Sequence, residues 1–421
     1  MQIELHSQFD TRLVQSVVDV SIVMPCLNEE LSLPHCIANA RDALDQIAIE
    51  LGLSGEIVIA DNGSTDRSIA IAEAAGARVV RVVEPGYGAA LIGGAMGAAG
   101  RFIVMGDADG SYDFRESVAM VSRLASGADL CMGSRFKGGI APGAMPWKNR
   151  HIGNPALTGV LNLFFRSGIG DAHCGLRAIT RAAFLSLNLS SGGMEFASEM
   201  VVKASLKRLR IAEVPATLAV DLRDRPPHLR PWRDGWRHLR YLIMLSPTWA
   251  FGVPSLFAIC LASAIFLIAG LHDAGVLNGP SYFGASWTIV AGFLFTTGHF
   301  AGLMAVAAHL HGVHEGHRPV RRTMRWMARF LTLESLLGLG AVLITMAFGL
   351  FGIVAYNWSA GNFTALSTAL PLVCAATIGT VGFQTVFGAF ILAIIGGHKA
   401  DFATHILVRK ATADSARASL A

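Results

Sequence analysis

A short apolar run ending at Gly106 leads into Asp107-Ala108-Asp109. Residues i and i+2 at the end of a strand place their carboxylates on one side. Two hard oxygen ligands with open positions suit Mg²⁺ or Mn²⁺ bridging a diphosphate. Acids in such places also cap helices, and Asp113 is expected to cap one that begins near Phe114.

Three more polar loops follow short apolar, β-branched segments. The segments are Asp19–Met24, Glu56–Ala60 and Ala77–Val83, and the loops read PCLNEE, DNGSTD and EPGYGAA. Helical stretches are expected over about Leu31–Leu51, Asp66–Ala75 and Ala89–Ala99. This alternation predicts a mainly parallel α/β sheet with right-handed crossovers. Ligands bind such sheets beyond the carboxyl ends of the strands, so the four loops would line one cleft. The glycine-rich stretch GYGAALIGGAMG lacks the Gly-Lys-Ser/Thr of a P-loop. Its Gly93, Gly94 and Gly97 read as positions where a helix packs closely on the sheet.

The elements that follow are of another kind. The chain is 421 residues long, 52% hydrophobic and only 15% charged, too apolar for a wholly soluble protein. No Asp, Glu, Lys or Arg occurs from Ser246 to Leu271, from Ala274 to His314, or from Ser335 to His398. As one helix, the last run would be roughly three times as long as a bilayer's hydrocarbon core is thick, so it must turn back, and NWSAGNFT is the natural turn. Four spans are expected, at about 247–270, 286–310, 335–356 and 370–396. They belong to an all-α membrane domain, 247–398, ahead of a tail, 399–421.

Arginines cluster before the first span (Arg223, Arg225, Arg230, Arg233, Arg237, Arg240) and between the second and third (Arg318, Arg321, Arg322, Arg325, Arg329). Cationic loops stay on the cytoplasmic side, which predicts a multi-pass cell-membrane protein with cytosolic termini and a cytosolic domain over residues 1–230. MQIELHSQFD lacks the apolar core of a signal peptide. The PWRDGWRHLRYLIML segment reads as an interfacial amphipathic helix, 231–246, with Trp232, Trp236 and Tyr241 among arginines. The Gly- and Pro-rich stretch from Phe136 to Asn154 is expected to be a mobile acceptor loop at the membrane surface. Formal net charge is +4, and the excess lies beyond residue 245, so a nucleic-acid-binding stripe is not indicated. The six cysteines show no CxxC spacing, which argues against a zinc site or a disulfide framework.

SIVMPCLNEE, EIVIADNGSTDRS, GYGAALIGGAMGAAGRFIVMGDAD, GSRF and DAHCGLRA stand in this order over residues 20 to about 240. The ordered set resembles family-two nucleotide-sugar glycosyltransferases, specifically the polyprenyl-phosphate (dolichol-phosphate-type) hexose synthase branch. The resemblance implies a GT-A-type, Rossmann-like domain with a mixed, mainly parallel sheet. It implies that Pro25, Asn28, Glu29 and Asp61 bind the nucleoside. Asp107 and Asp109 would hold the metal and the donor diphosphate. Arg135 and Arg177 would lie near the acceptor phosphate and the leaving diphosphate, where a planar, permanently charged fork suits phosphate oxygens. Alternatively, Arg177 pairs structurally with Asp171. Family members often carry Lys where this chain has Tyr87, a DxQ pattern where it has Ser111, and a Gly-x-Ser-Lys element where it has RDRPPHLRPWRDG.

The implied reaction moves a hexose from a UDP- or GDP-sugar to a polyprenyl phosphate with inversion. A phosphate that is largely dianionic at neutral pH attacks without a general base. Two other readings stand beside it. One is transfer to a lipid hydroxyl, which needs a base such as Asp171, Glu195 or Glu199. The other is a lipid-linked sugar flippase module with a nucleotide-binding domain.

Overall fold

The computed structural model describes residues 18–223, 231–277, 283–314, 332–364, 366 and 368–396. The chain divides into two units, Met1–Leu242 and Ile243–Ala421.

The first unit opens with β1 (Val20–Cys26), α1 (Leu33–Leu51), β2 (Gly55–Asp61), α2 (Ser68–Ala74), β3 (Arg78–Arg81), α3 (Tyr87–Gly97) and β4 (Phe102–Met105). It continues with α4 (Ser117–Ala125), β5 (Leu130–Ser134), a single turn α5 (Arg135–Gly138), β6 (Gly139–Ile140) and α6 (Asn154–Phe165). It closes with β7 (Arg177–Thr180), α7 (Arg181–Leu187), α8 (Phe196–Leu206), β8 (Ile211–Leu218) and α9 (Pro231–Met244). These strands form one sheet in the order β3-β2-β1-β4-β7-β5-β8-β6. Every pairing is parallel except those that β7 makes with β4 and β5.

Central strands of such a sheet are covered on both faces, so they are apolar throughout rather than alternating. All four residues of β4 are buried, as is β1 apart from the half-buried Pro25. By contrast, the second half of β8 alternates buried and exposed, as a strand near a sheet edge does. Helix α1 buries Leu33, Ile37, Ala40 and Ile47 at helical spacing and stops at Gly52, whose φ of 68° closes a left-handed cap. The expected role of the α3 glycines holds: a Cβ on Gly94 would lie 2.6 Å from Val23 and 2.7 Å from Ala60. The helix therefore sits directly on β1 and β2.

Asp113 caps the short helical turn Phe114–Glu116, accepting from the Arg115 N–H, and also holds Asn39 of α1 at 2.9 Å. Its bond with the Arg115 guanidinium, helped by Asn39 and the backbone N–H, brings its carboxyl down to about 2. A depressed carboxylate contributes stability that is complete above the usual Asp value near 4 and is lost as pH falls towards about 2. Asp113→Ala is expected to cost about 1 kcal/mol of stability at neutral pH. Thermal unfolding followed from pH 5 to 2 should show a smaller acid loss in the variant than in the parent protein.

Among the described residues of the second unit, four helices are long and apolar enough to cross a membrane: Thr248–Asp273, Ala285–His314, Leu333–Ala360 and Leu370–Ile395. The first comprises a π-helical turn and α10 (Val253–Asp273); the others are α11, α12 and α13. Three run about one turn past the ends read from the sequence, because backbone hydrogen bonding carries a helix through polar residues until a cap intervenes. For α12 that cap is Gly361, whose N–H donates to the Asn357 carbonyl. Small residues permit close helix packing, as at Gly340, where a Cβ would meet Val386 and the Gly382 carbonyl. The expected cationic connection from Arg318 to Arg329, Arg225, Arg230, the first seventeen residues and the tail from 399 lie outside the described residues.

Candidate active site

The four strand-end loops are laced together by side chains. Asn28 takes a left-handed backbone conformation, φ 57°, which Asn tolerates better than most residues. Its N–H donates to Ser64 Oγ at 3.0 Å, and its Oδ1 accepts from the Thr65 N–H at 2.7 Å. The Glu29 N–H donates to Ser68 Oγ at 2.8 Å, so the loops after β1 and β2 form one piece. Pro25 lies opposite Ala60 in the β1–β2 register. Asp61 is buried and accepts from the N–H groups of Gly63 and Ser64. Asn62 extends the lacing to the third loop: it donates to the Val82 and Glu84 carbonyls and accepts from the Gly86 N–H. Ser32 Oγ completes it, donating to the carbonyl of Ala108 at 2.7 Å.

Asp107 and Asp109 leave β4 into this framework. The Tyr87 hydroxyl donates to Asp107 Oδ1 at 2.8 Å, which brings the first residue of α3 against the acid pair. Asp109 Oδ1 accepts from Ser111 Oγ at 2.6 Å and from the Ser111 N–H at 3.0 Å. Burial, and next the neighbouring Asp109 charge, push the Asp107 carboxyl up to about 6, while Tyr87, Arg223 and Arg177 pull the other way. Asp107 is half-buried beside the buried Asp109, and each carboxylate disfavours the charge of the other. A divalent cation would suit such a site, and Asp107 and Asp109 are the residues that could hold it. Among the described residues no group of three or more His, Cys, Asp or Glu side chains is gathered for a metal. Such a pair would leave further coordination positions for phosphate oxygens and water.

Arg223 was not singled out as a site residue from sequence. Its guanidinium lies 3.2 Å from Asp109 Oδ2 and 2.9 Å from Glu29 Oε1. The strand-like approach that delivers it is pinned by the Leu222 N–H to the Asp109 carbonyl at 2.8 Å and the Ala219 N–H to the Ser111 carbonyl at 2.9 Å. From sequence Arg223 counts among the arginines ahead of the first span and opens the stretch RDRPPHLRPWRDG that departs from the family pattern, and neither marks a site residue. Tyr87 was likewise visible only as a departure.

Arg135 and Arg177 are both buried and hydrogen-bond to neither carboxylate. Arg135 grips Asp171 with two parallel bonds, Nε to Oδ2 at 2.7 Å and Nη2 to Oδ1 at 2.8 Å. The alternative pairing of Asp171 with Arg177 is therefore corrected: Arg135 starts α5 directly after β5 and reaches Asp171 first. Burial works against the Asp171 charge, but Arg135 holds its carboxyl below the usual range. Arg177 opens β7 opposite Met105, the last residue of β4. It donates to the carbonyls of Cys174 and Ala197, and its Nε is buried without a partner. Its charge bears on Asp107 across that register.

Of the three candidate bases, Asp171 is committed to Arg135. Glu199 is committed to Lys203 at 2.6 Å and to the N–H groups of Ser190 and Ser191. Glu195 precedes α8, and its Oε2 is buried without a hydrogen-bond partner. The stretch expected as a mobile acceptor loop contains α5, β6 and a π-helical turn, Asn149–Gly153, before α6.

The sequence profile described as glycosyl transferase family 2 matches residues 21–187, and that described as the glycosyltransferase family 2 C-terminal transmembrane region matches 306–396. The low-salt glycan biosynthesis hexosyltransferase Agl6 of Haloferax volcanii is 36% identical over 402 residues, 93% of this chain and 94% of the relative. The chain belongs to glycosyltransferase family 2. This glycosyltransferase is also similar to a dolichyl-phosphate hexose transferase of the same organism, 27% identical over 197 residues, 47% of this chain and 81% of that one. A partial likeness joins it to glucosyl-3-phosphoglycerate synthase of Mycobacterium tuberculosis, crystallised with Mn²⁺ and UDP. There the TM-score is 0.40 at 23% identity, covering 54% of this chain and 78% of the other. The glycosyltransferase is a membrane protein, with the mixed, mainly parallel sheet in one unit and, among the described residues, four apolar helices in the other.

Proposed function

We propose that this enzyme transfers a hexose from a UDP- or GDP-sugar to a polyprenyl phosphate, inverting the anomeric centre. The observation that carries the reading is the Asp107–Asp109 pair at the sheet's carboxyl edge, where a half-buried carboxylate stands beside a buried one. Names borne by the relatives, a hexosyltransferase and a dolichyl-phosphate hexose transferase, support the reaction class.

In this reading Pro25, Asn28, Glu29 and Asp61 form the nucleoside wall, whose shape is held by the serine and asparagine bonds between the first two loops. Asp107 and Asp109 hold Mg²⁺ or Mn²⁺, which when bound neutralises charge on the donor diphosphate. Arg135 and Arg177 act as fixed positive charge in the wall, since both are already held by protein oxygens. The attacking phosphate oxygen carries its own charge, so the protein's task is alignment rather than proton removal. Asp171 and Glu199 are committed to cations, so transfer to a lipid hydroxyl would have to rely on Glu195 as its base.

The Arg-rich flanks support a cytosolic side for the catalytic unit and both termini. The exposed Arg233, Trp236 and Arg240 of α9 suit the headgroup level.

Purified full-length protein, given labelled nucleotide sugars, Mn²⁺ and undecaprenyl phosphate, should yield an acid-labile, base-stable lipid sugar. Transfer to a neutral lipid alone would overturn the phosphate acceptor.

A further inference from the structure

Helix α9 has two faces of different character. Arg233, Trp236 and Arg240 are exposed, whereas His238 and Leu242 are buried against the catalytic unit. A leucine-like inner face would suffice for docking, because polar groups in a buried interface are costly unless they are paired. Two polar residues of α9, His238 and Tyr241, instead bond to successive residues of α8, Ser198 and Glu199, which are fully buried.

From Ser198 one path leads to the acid pair. His238 Nδ1 lies 2.8 Å from Ser198 Oγ, and the same oxygen lies 3.1 Å from His173 Nε2. A single hydroxyl can donate to one ring and accept from the other. The two rings meet edge-on at 4.9 Å, and burial, then His238, lowers the His173 imidazole to about 3, so it stays neutral. Two residues on, Gly175 is so close to the acid pair that a Cβ would stand 2.6 Å from Asp107 Oδ2. Its N–H is fixed to the Tyr112 hydroxyl at 2.8 Å.

From Glu199 a second path leads to the other oxygen of Asp107. The Tyr241 hydroxyl bonds to the Glu199 carboxylate, which accepts from the Ser191 N–H at 2.8 Å. The adjoining Gly192 carbonyl accepts from the N–H groups of Gly88 and Ala89 at 2.9 and 3.1 Å, in the first turn of α3. Gly88 tolerates no side chain there, since a Cβ would run into the carbonyls of Ser191 and Gly193. Tyr87, one residue earlier, is the donor to Asp107 Oδ1.

We infer that α9 is a positioning element for the acid pair. His238 and Tyr241, acting through Ser198 and Glu199, hold the loops bearing Gly175 and Gly192, and these brace the two oxygens of Asp107. Hydrogen-bonded side-chain networks are one of the physical routes by which packed elements are coupled. The inference rests on the proposed role of Asp107 and Asp109 at the donor diphosphate.

The test is the double variant Ser198→Ala/Tyr241→Phe, which removes two hydroxyls and cuts both paths while leaving α9 its apolar contacts. Full-length proteins in detergent are compared for kcat, KM for undecaprenyl phosphate, Mn²⁺ affinity and thermal midpoint. The expected result is a fall of about tenfold in kcat with weaker Mn²⁺ binding, at a lipid KM within about twofold of the parent. Unchanged kcat and Mn²⁺ affinity per folded molecule, whatever the thermal midpoint, would overturn the inference and show α9 to be a stabilising strut. A parent protein that makes no lipid-linked sugar would instead sink the proposed function, so the two failures are distinguishable.

Discussion

Asp109→Asn is expected to lower Mn²⁺-dependent sugar transfer by about a thousandfold while the protein still folds and inserts. The amide keeps the shape of the side chain and can still accept from Ser111, so the turn after β4 survives. What it loses is one of two negative charges, and with it the attraction for a divalent cation and the ion pair to Arg223 at 3.2 Å. Product formation with labelled donor and undecaprenyl phosphate, beside a thermal midpoint measured on the same sample, separates the two effects. Near-parental turnover in the variant would remove the acid pair from the chemistry. Weakened activity with a collapsed midpoint would make Asp109 structural.

Asp171→Ala is expected to cost about 3–5 kcal/mol of stability, because it leaves the Arg135 guanidinium buried and uncompensated. The bidentate bond lies wholly in the interior, with Asp171 side-chain exposure at 0% and that of Arg135 at 9%. Solvent therefore cannot take over the lost partner. The paired variant Arg135→Met/Asp171→Leu removes both charges and should recover much of the loss, since apolar replacement of a buried ion pair is often neutral. Denaturant or thermal unfolding followed by tryptophan fluorescence reads the difference. If the single and double variants lose the same stability, the pair is not what Asp171 contributes. If the double variant is stable but slow in transfer, the Arg135 charge serves the phosphates as proposed.

Much of this arrangement is local in origin and was readable from the chain. Strands β1 to β4 and their loops follow from apolar runs punctuated by Asn, Asp, Gly and Pro, and the membrane helices from long stretches without charge. Asp107 and Asp109 stood out as an acid pair directly after an apolar strand, although β4 ends at Met105 and the turn that follows, not strand alternation, sets their directions. Asp113 as a cap and Gly94 as a packing position were legible because each depends on its own turn or helix face.

The partners of these residues were not legible. Glu29 and Arg223 are separated by 194 residues, and no spacing in the sequence links them. Asp171 lies six positions from Arg177 yet pairs with Arg135, because β7 runs antiparallel between β4 and β5 and turns Arg177 toward Met105. Tyr87 looked like a loss of the family's lysine, but the placement of α3 makes its hydroxyl a donor to Asp107.

The sequence alone therefore determined the reaction class, the acidic motif and the membrane spans, all of which rest on short-range patterns or on an ordered set of motifs. The tertiary structure decided which charge neutralises which. A buried ion's partner depends on which loops the sheet order brings within hydrogen-bond reach, and that geometry is a property of the whole domain.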